Sequence, residues 1–181
     1  MPGRWIEAQA FPLVVLTVLL VAGCSILQEE PGEQGENWVE ERVTLPRYPA
    51  PGSLVAADIG RPGDPYRYFV DPASLSVGRD GVTRYTVALV SKGGGRNVFY
   101  EGIRCQTQSA KRYAYGVEEG FQGMESSDWE IIRQDGGSAY QYILARGYLC
   151  QPRGFPFEAA TARDRLLRGN VPGLREQEGF R

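Results

Sequence analysis

The side chains with the clearest chemical potential in this 181-residue chain are three carboxylates, Asp71, Asp80 and Glu101, which lie among its strongest sequence motifs. Paired carboxylates can supply the acid and the base of a hydrolytic reaction. They matter here because the chain has no histidine, which excludes Ser-His-Asp and Cys-His arrangements and imidazole-bound metals. Asp71 precedes Pro72, however, and Asp80 precedes Gly81, and both dipeptides are typical of turns. We therefore interpret Asp71 and Asp80 as ligand or turn carboxylates, with the turn role favoured, and expect no catalytic residue, cofactor or metal.

Cys24 follows a segment with the features of an export signal. Over residues 1–23, Arg4 supplies a positive charge and residues 11–21 form an apolar run that is shorter than the roughly 20 residues needed to span a bilayer. The sequence Val21-Ala22-Gly23-Cys24 resembles the bacterial lipobox, whose cysteine carries lipid and becomes the mature N-terminus. The resemblance implies a fatty-acid anchor on Cys24, and Ser25 fits sorting to the outer membrane. An ordinary signal peptide or an N-terminal membrane helix is the alternative.

Cys105 and Cys150 remain once Cys24 is lipidated. An even number of cysteines in an oxidising compartment predicts that the two form a disulfide. Closing this loop would stabilise the fold by roughly 4 kcal/mol in the chain-entropy model. Metal binding and a redox-active pair are weaker alternatives, because two thiols without histidine do not complete a tetrahedral site and Cys-x-x-Cys spacing is missing.

The composition, with 42% hydrophobic and 23% charged residues, is typical of one globular domain with a core. The net charge of -2 provides no general basic field, which argues against a nucleic-acid partner. Residues 24–37 contain four glutamates and no basic residue, and they predict a flexible acidic tether. We expect the globular domain over residues 38–150 and a partly helical, partly disordered extension over residues 151–181.

A long β-hairpin is the element that must position most of these side chains. Asp80-Gly81 opens it, and a strand rich in Val, Thr and Tyr follows as far as Val90. Residues 92–97 then turn the chain into a second strand that ends at Cys105.

The register of this hairpin predicts a charge pair. If Ser91 lies opposite Val98, period-two alternation places Arg84, Glu101 and Cys105 on one face of the sheet. That face must be the one covered by the helix that carries the second cysteine of the disulfide. We therefore predict that Arg84 and Glu101 form a buried or half-buried ion pair, since opposite charges among apolar neighbours are rarely left unpaired.

The rest of the chain supplies further strands and two helices. Strands are predicted at residues 54–57, 66–70, 75–77 and 112–117, with a loop at residues 120–127. Residues 45–51 contain three prolines and predict an extended segment wrapped over the domain, which we prefer to a proline-rich docking ligand. Ser138 is a plausible N-cap of a helix that leads to Cys150, and residues 157–168 form a second helical candidate. The predicted fold class is α+β, with an antiparallel sheet built round the long hairpin and a C-terminal helix packed on one face and tied by the disulfide.

Several motifs occur in a fixed order between the tether and Cys150. They are Leu45-Pro46-x-Tyr48-Pro49, Phe69-Val70-Asp71-Pro72-x-Ser74-Leu75, Asp80-Gly81-Val82-x-Arg84-Tyr85, Asn97-Val98-x-Tyr100-Glu101-Gly102-Ile103-Arg104-Cys105, Tyr113-Ala114, Trp129 and Tyr148-Leu149-Cys150. Together with the lipobox, this order resembles the cryptic neisserial protein family of proteobacterial lipoproteins and periplasmic proteins. The resemblance implies a location in the cell envelope but no biochemical activity that could be transferred. A looser similarity in architecture is to the surface adhesin E group, and a shared fold does not settle function.

These observations lead to two hypotheses for function. The first is an exported, non-catalytic lipoprotein of the outer membrane that faces the periplasm and acts through protein or cell-wall contacts. The alternative is a small-ligand or glycan-binding domain, with hydrolysis by carboxylates as a further option. Two close carboxylates in a cleft would favour the alternative.

Overall fold

The computed structural model describes residues 38–50, 52–59, 61 and 63–169, together with Gly3. The predicted lipidation of Cys24, the leader and the acidic tether therefore lie outside the described residues. The extension beyond Gly169 lies outside them as well. A compact unit begins at Trp38. Within the described ranges, no helix is both long enough and apolar enough to cross a membrane.

Seven antiparallel strands form one sheet, which confirms the predicted fold class. The order of the strands across the sheet follows the chain from β1 to β6, and β7 pairs with β5. The strands are β1 (Val55–Ala57), β2 (Tyr66–Val77), β3 (Val82–Ser91), β4 (Arg96–Arg104), β5 (Ser109–Val117), β6 (Gly120–Gly123) and β7 (Glu130–Ile131). Since each strand from β1 to β5 pairs with the next one along the chain, the sheet grows by successive hairpins.

Two strands differ from the sequence prediction. Residues 66–77 form one continuous strand, because a shift in register between Asp71 and Ser76 accommodates Pro72 within β2. The loop predicted at residues 120–127 is wrong for its first part, where β6 pairs with the end of β5. The turn between these strands contains Glu118 at φ 54° instead of the glycine or asparagine that usually marks such a turn.

Two helices pack on the sheet. Helix α1 (Ala139–Leu144) continues into a π-helical turn over Ala145–Leu149, and α2 covers Ala159–Arg168. Ser138 occupies the N-cap position of α1, but its hydroxyl accepts a hydrogen bond from the backbone of Arg133 instead of capping the helix. The packed part of the chain thus continues past Cys150, since two residues of α2 are completely buried.

The sheet is covered on both faces. The helix face contacts α1, the π-helical turn and α2. The strap face is covered by residues 38–50, an irregular segment that we call the N-terminal strap. The core of the helix face includes Tyr68, Val70, Tyr85, Val87, Ile103, Leu144, Tyr148 and Leu166. The smaller core of the strap face contains Tyr100, Tyr113 and Ala114, with Val43, Phe121 and Trp129 against it.

The central hairpin is present, but its register differs from the prediction by three residues. Ser91 donates a backbone hydrogen bond to Gly95, and Ala88 instead of Ser91 lies opposite Val98. The loop is tighter than predicted because Gly94 adopts φ 87°, which closes a three-residue turn.

This register overturns the predicted ion pair. An odd shift exchanges the faces of one strand relative to the other, so Arg84 lies opposite Gly102 and Tyr85 lies opposite Glu101. Arg84 therefore lies on the strap face and pairs with Asp80, whereas Glu101 lies on the helix face and pairs with Arg112. The predicted contact between Arg84 and Glu101 is wrong.

Candidate functional site

Glu101 is the centre of the most extensive polar network on the helix face. Its side chain is completely buried, and both carboxylate oxygens accept hydrogen bonds. Oε1 accepts from the hydroxyl of Tyr140 at 2.7 Å and from Nε of Arg112 at 3.0 Å. Oε2 accepts from Nε2 of Gln141 at 3.0 Å and from the hydroxyl of Tyr85 at 3.1 Å. We call these five residues the Glu101 cluster.

Strand register and one helix bring the cluster together. Tyr85 on β3 and Arg112 on β5 lie directly opposite Glu101 on the two strands that flank β4. Tyr140 and Gln141 are consecutive residues of α1 and reach down from the helix. The Glu101 cluster therefore connects three strands to α1 through one carboxylate.

Aromatic rings support two members of the cluster from the side. Tyr68 on β2 stacks on Tyr140 with the ring centroids 5.1 Å apart. The guanidinium of Arg112 lies over the ring of Phe99, 3.8 Å from its centroid, and 37% of the arginine side chain stays exposed. The cluster is thus closed on the core side and is most exposed to water at Arg112.

The electrostatics of the cluster keep its two phenols neutral. Burial, followed by the negative charge of Glu101, raises the pKa of both Tyr85 and Tyr140 well above the ordinary value. Burial alone would lower the pKa of Arg112, but the charges and hydrogen bonds of Glu101 and Tyr140 together outweigh burial and raise that pKa. Both phenols therefore remain hydrogen-bond donors at neutral pH.

The hydrogen bonds that Glu101 already accepts limit the chemistry that it can perform. A carboxylate that accepts two hydrogen bonds at each oxygen has no orientation left in which to take a proton from a substrate. The same bonds attach α1 to the sheet, because Tyr140 and Gln141 each reach across about 40 residues of sequence to Glu101. The Glu101 cluster is built to hold the helix in place.

Asp80 and Arg84 form a second buried pair on the strap face. Asp80 Oδ2 lies 2.6 Å from Arg84 Nη2, and Oδ1 accepts from Nη1 at 3.2 Å. Asp80 also accepts the backbone N–H of Glu41 at 2.9 Å and that of Val82 at 3.1 Å. Gly78 lies so close that a β-carbon there would collide with the side chains of this pair. Asp80 thus joins the turn, the hairpin and the strap.

The pKa shifts of this second pair follow from the same contacts. Burial alone would raise the pKa of Asp80, but the hydrogen bond from Arg84 and the backbone donors of Glu41 and Val82 lower it below the ordinary value. Burial alone would lower the pKa of Arg84, but its interactions with Asp80 and Tyr113 together outweigh burial and raise that pKa.

The N-terminal strap is fixed by aromatic and charged residues. The guanidinium of Arg104 lies over the ring of Trp38 at 3.6 Å from the centroid, and the edge of Trp38 meets Trp129 at 5.7 Å. Trp38 Nε1 donates to the backbone oxygen of Asp80 at 2.9 Å. These contacts hold the first described residue of the globular part.

A further ion pair lies beside them. Lys111 Nζ lies 2.8 Å from Glu40 Oε2, which also accepts from Trp129 Nε1 at 3.4 Å. Glu40 thus attaches the strap to β5 and to the residue just before β7.

Asp71 has a local role. Its Oδ1 accepts the backbone N–H of Ala73 at 3.1 Å, and its backbone oxygen accepts from the hydroxyl of Ser74 at 2.8 Å. These bonds stabilise the bulge within β2. The structure therefore gives Asp71, Asp80 and Glu101 separate sets of partners, with turn or bulge roles for the two aspartates.

The disulfide between Cys105 and Cys150 is present, as the sequence predicts. It ties the residue after β4 to the residue that follows the π-helical turn. Within the described part of the chain, no group of three or more Cys, Asp or Glu residues is arranged to hold a metal ion.

The partners of Glu101 are not predicted by the sequence motifs. No motif connects Tyr85, Arg112, Tyr140 or Gln141 with this carboxylate. The contact with Tyr85 could have been predicted from the turn. A common hairpin loop has three residues with glycine in the third position, and such a loop here is closed by Ser91 and Gly95. The register that follows from this loop places Tyr85 opposite Glu101. The contacts with α1 depend on how the helix docks, and no local pattern encodes that.

Comparison with known proteins identified one relationship. The model of the CNP1-like family matches residues 33–167, which include every strand of the sheet and almost all of α2. A search of curated proteins and a search of solved structures each found no match.

Proposed function

This chain belongs to the CNP1-like family, and we propose that it is a non-catalytic interaction module of the cell envelope, anchored to the outer membrane by lipid on Cys24 and facing the periplasm. Its role in this proposal is to present a rigid surface to an envelope protein or to the cell wall. The family relationship supplies no activity of its own, so the proposal rests on the sequence of the leader and on the geometry of the domain.

The observation that carries the proposal is that both carboxylate oxygens of Glu101 already accept two hydrogen bonds each. Glu101 is the fully buried carboxylate of the helix face, and its two oxygens accept from Tyr85, Arg112, Tyr140 and Gln141. A general acid or base needs a free position near a substrate, whereas a structural carboxylate needs all its positions occupied. The geometry of Glu101 fits the second requirement.

The strap supports the idea of anchored display. Trp38 directly follows the predicted tether, and Arg104 and Asp80 hold it against the sheet. A domain connected to a membrane through residues 24–37 would thus be held at a fixed point beside its core. The Cys105–Cys150 disulfide supports an oxidising compartment such as the periplasm.

Two measurements in intact cells test the proposal. Metabolic labelling with an alkyne fatty acid should mark the wild-type chain and the Cys105→Ser/Cys150→Ser variant, but not Cys24→Ser. Label that persists undiminished in Cys24→Ser would refute the anchor.

The interaction is tested by site-specific photo-crosslinking in intact envelopes. A crosslinker at exposed apolar positions, such as Ile131 or Leu167, should give a discrete adduct with an envelope component. Exposed polar positions such as Gln122 serve as matched controls. Adducts that are absent at every position tested, or equally diffuse at apolar and polar positions, would contradict an interaction module.

A further inference from the structure

A cavity of about 380 Å³ lies beside the disulfide, and no residue of the Glu101 cluster lines it. Its apolar lining comes from Ile103 and Ile132, which are almost fully buried, and from the Cys105–Cys150 bridge. Its polar lining includes Gln106, Gln108, Gln151, Tyr142, Arg146 and Arg153. Cavities of this volume accommodate small organic ligands.

One wall of the cavity is fixed before any ligand arrives. Cys150 is tied to Cys105, and the turn that follows it is closed by a hydrogen bond from the backbone of Gly154 to that of Gln151 at 3.0 Å. The backbone of Gln151 donates in turn to Phe155 at 2.8 Å, and Gly154 adopts φ 80°. A wall with satisfied backbone groups loses little conformational entropy when a ligand binds.

The charge of the cavity has one sign. Arg146 and Arg153 line it, and none of its lining residues is an aspartate or a glutamate. Neither arginine forms an ion pair with another described residue, in contrast with Arg84 and Arg112. The guanidinium of Arg146 lies 5.6 Å from the ring of Tyr142, which keeps it at the side of the cavity. A site with two uncompensated guanidinium groups attracts an oxyanion.

We propose that this cavity binds a small amphipathic organic anion, with its oxyanion head at Arg146 and Arg153 and its apolar body against Ile103 and Ile132. This site is separate from the Glu101 cluster, and the proposal does not depend on the proposed envelope function.

The test uses 4-phenylbutyrate as a probe, because it joins a carboxylate to an apolar body, and its uncharged amide as the matched control ligand. Binding to the oxidised protein is followed by two-dimensional ¹⁵N NMR. We expect the acid to shift the backbone signals of Gln106, Gln151 and Gly154 saturably, and the amide to bind at least about tenfold more weakly, since a charge-assisted contact is lost.

Two double variants with the same change in charge complete the experiment. Arg146→Gln/Arg153→Gln should weaken binding of the acid at least about tenfold. Arg67→Gln/Arg96→Gln removes two exposed arginines at the far end of the hairpin and should leave the affinity within about twofold. The dispersion of the NMR signals verifies that each variant is folded.

Three results would overturn the proposal. The first is equal affinity for the acid and the amide, which would mean that the arginines do not bind the carboxylate group of the ligand. The second is an equal loss in both double variants, which would mean diffuse attraction to the whole protein. The third is the absence of saturable shifts at the cavity signals with millimolar acid.

Discussion

The two faces of the sheet each bury a carboxylate beside an arginine, and they do so in different ways. On the strap face, Asp80 pairs with Arg84 four residues away, and backbone N–H groups supply its other hydrogen bonds. On the helix face, Glu101 receives all its hydrogen bonds from side chains, two of them on α1. The first pair fixes a turn and the strap, and the second fixes a helix.

The two arginines also differ in their access to water. The side chain of Arg84 is 6% exposed, and its Nε has no hydrogen-bond partner within the described ranges. The side chain of Arg112 is 37% exposed. Loss of the carboxylate would therefore leave Arg84 as an uncompensated buried charge, whereas Arg112 could be hydrated. We therefore expect the exposure of the remaining partner, more than the number of hydrogen bonds, to set the cost of breaking each buried pair.

The largest effect is expected for Asp80→Asn. The variant leaves the charge of Arg84 buried without a counter-ion, which costs about 3–5 kcal/mol of unfolding free energy. Urea unfolding measures this. The matched control is Asp164→Asn, which breaks the exposed pair with Arg168 and should cost less than about 1 kcal/mol. Equal losses in the two variants would refute the buried role of Asp80.

Glu101→Gln should have a smaller but clear effect. The amide keeps one acceptor oxygen but presents N–H groups to donors on its other side, which costs about 2–3 kcal/mol. Glu130→Gln, at an exposed position of β7, is the control and should be nearly neutral. If Glu101→Gln proves more costly than Asp80→Asn, the comparison between the two arginines is wrong.

Tyr68 makes the helix face sensitive to alkali. Burial and the nearby charge of Asp64 raise its pKa to about 12. The folded-state pKa of Tyr68 lies above the unfolded value of 10.0. The contribution of the neutral phenol to the free energy of unfolding is therefore complete below pH 10 and is lost as the pH rises through 12. The wild type should lose about 2 kcal/mol more than Tyr68→Phe between these pH values. Parallel stability curves, measured by urea unfolding at each pH, would contradict this.

Glu40 gives the strap face a weaker sensitivity to acid. Burial alone would raise the pKa of Glu40, but Lys111 and other donors lower it below 4.5. The contribution of the charged carboxylate to the free energy of unfolding is therefore present above pH 4.5 and is lost as the pH falls through the folded-state pKa. The side chains of this pair are about one-fifth exposed, and Glu40→Gln should cost about 1 kcal/mol at neutral pH.

Tryptophan fluorescence checks the acid response, because Trp129 donates to Glu40 and Trp38 packs against Trp129. The tryptophan emission of the protein should change as the pH falls below 4.5, and the change should be smaller in Glu40→Gln. An identical acid response in the wild type and in Glu40→Gln would contradict a role of Glu40 in the acid sensitivity of the strap face.

Local sequence signals were sufficient for the central hairpin, for α1 and for the disulfide. Alternating β-branched and aromatic residues predicted the hairpin, the helical spacing after Ser138 predicted α1, and the cysteine count predicted the disulfide. These features depend on neighbours in sequence or on simple chemistry. The extended segment predicted at residues 45–51, whose prolines disfavour helix, corresponds up to residue 50 to the last part of the strap.

The partners within the two buried ion pairs, Asp80–Arg84 and Glu101–Arg112, were harder to predict. In the run Gly93-Gly94-Gly95 any residue could adopt a positive φ, and a three-residue error in closing the loop moved Arg84 to the wrong face. Asp80 was interpreted as a turn residue, which is correct for its bond to Val82 but omits its ion pair. The contacts of Glu101 with α1 are set by tertiary packing, which the local pattern does not contain.

Native-state hydrogen exchange of Glu101→Gln tests the central claim most directly, namely that Glu101 holds α1 against the sheet. The amides of Leu144 and Ala145 report on the helix, and the amide of Glu41, bonded to Asp80, reports on the strap. We predict that protection in the helix falls by about 2–3 kcal/mol relative to wild type while protection of Glu41 falls less. Unchanged protection in α1, or an equal fall at Glu41, would contradict the claim.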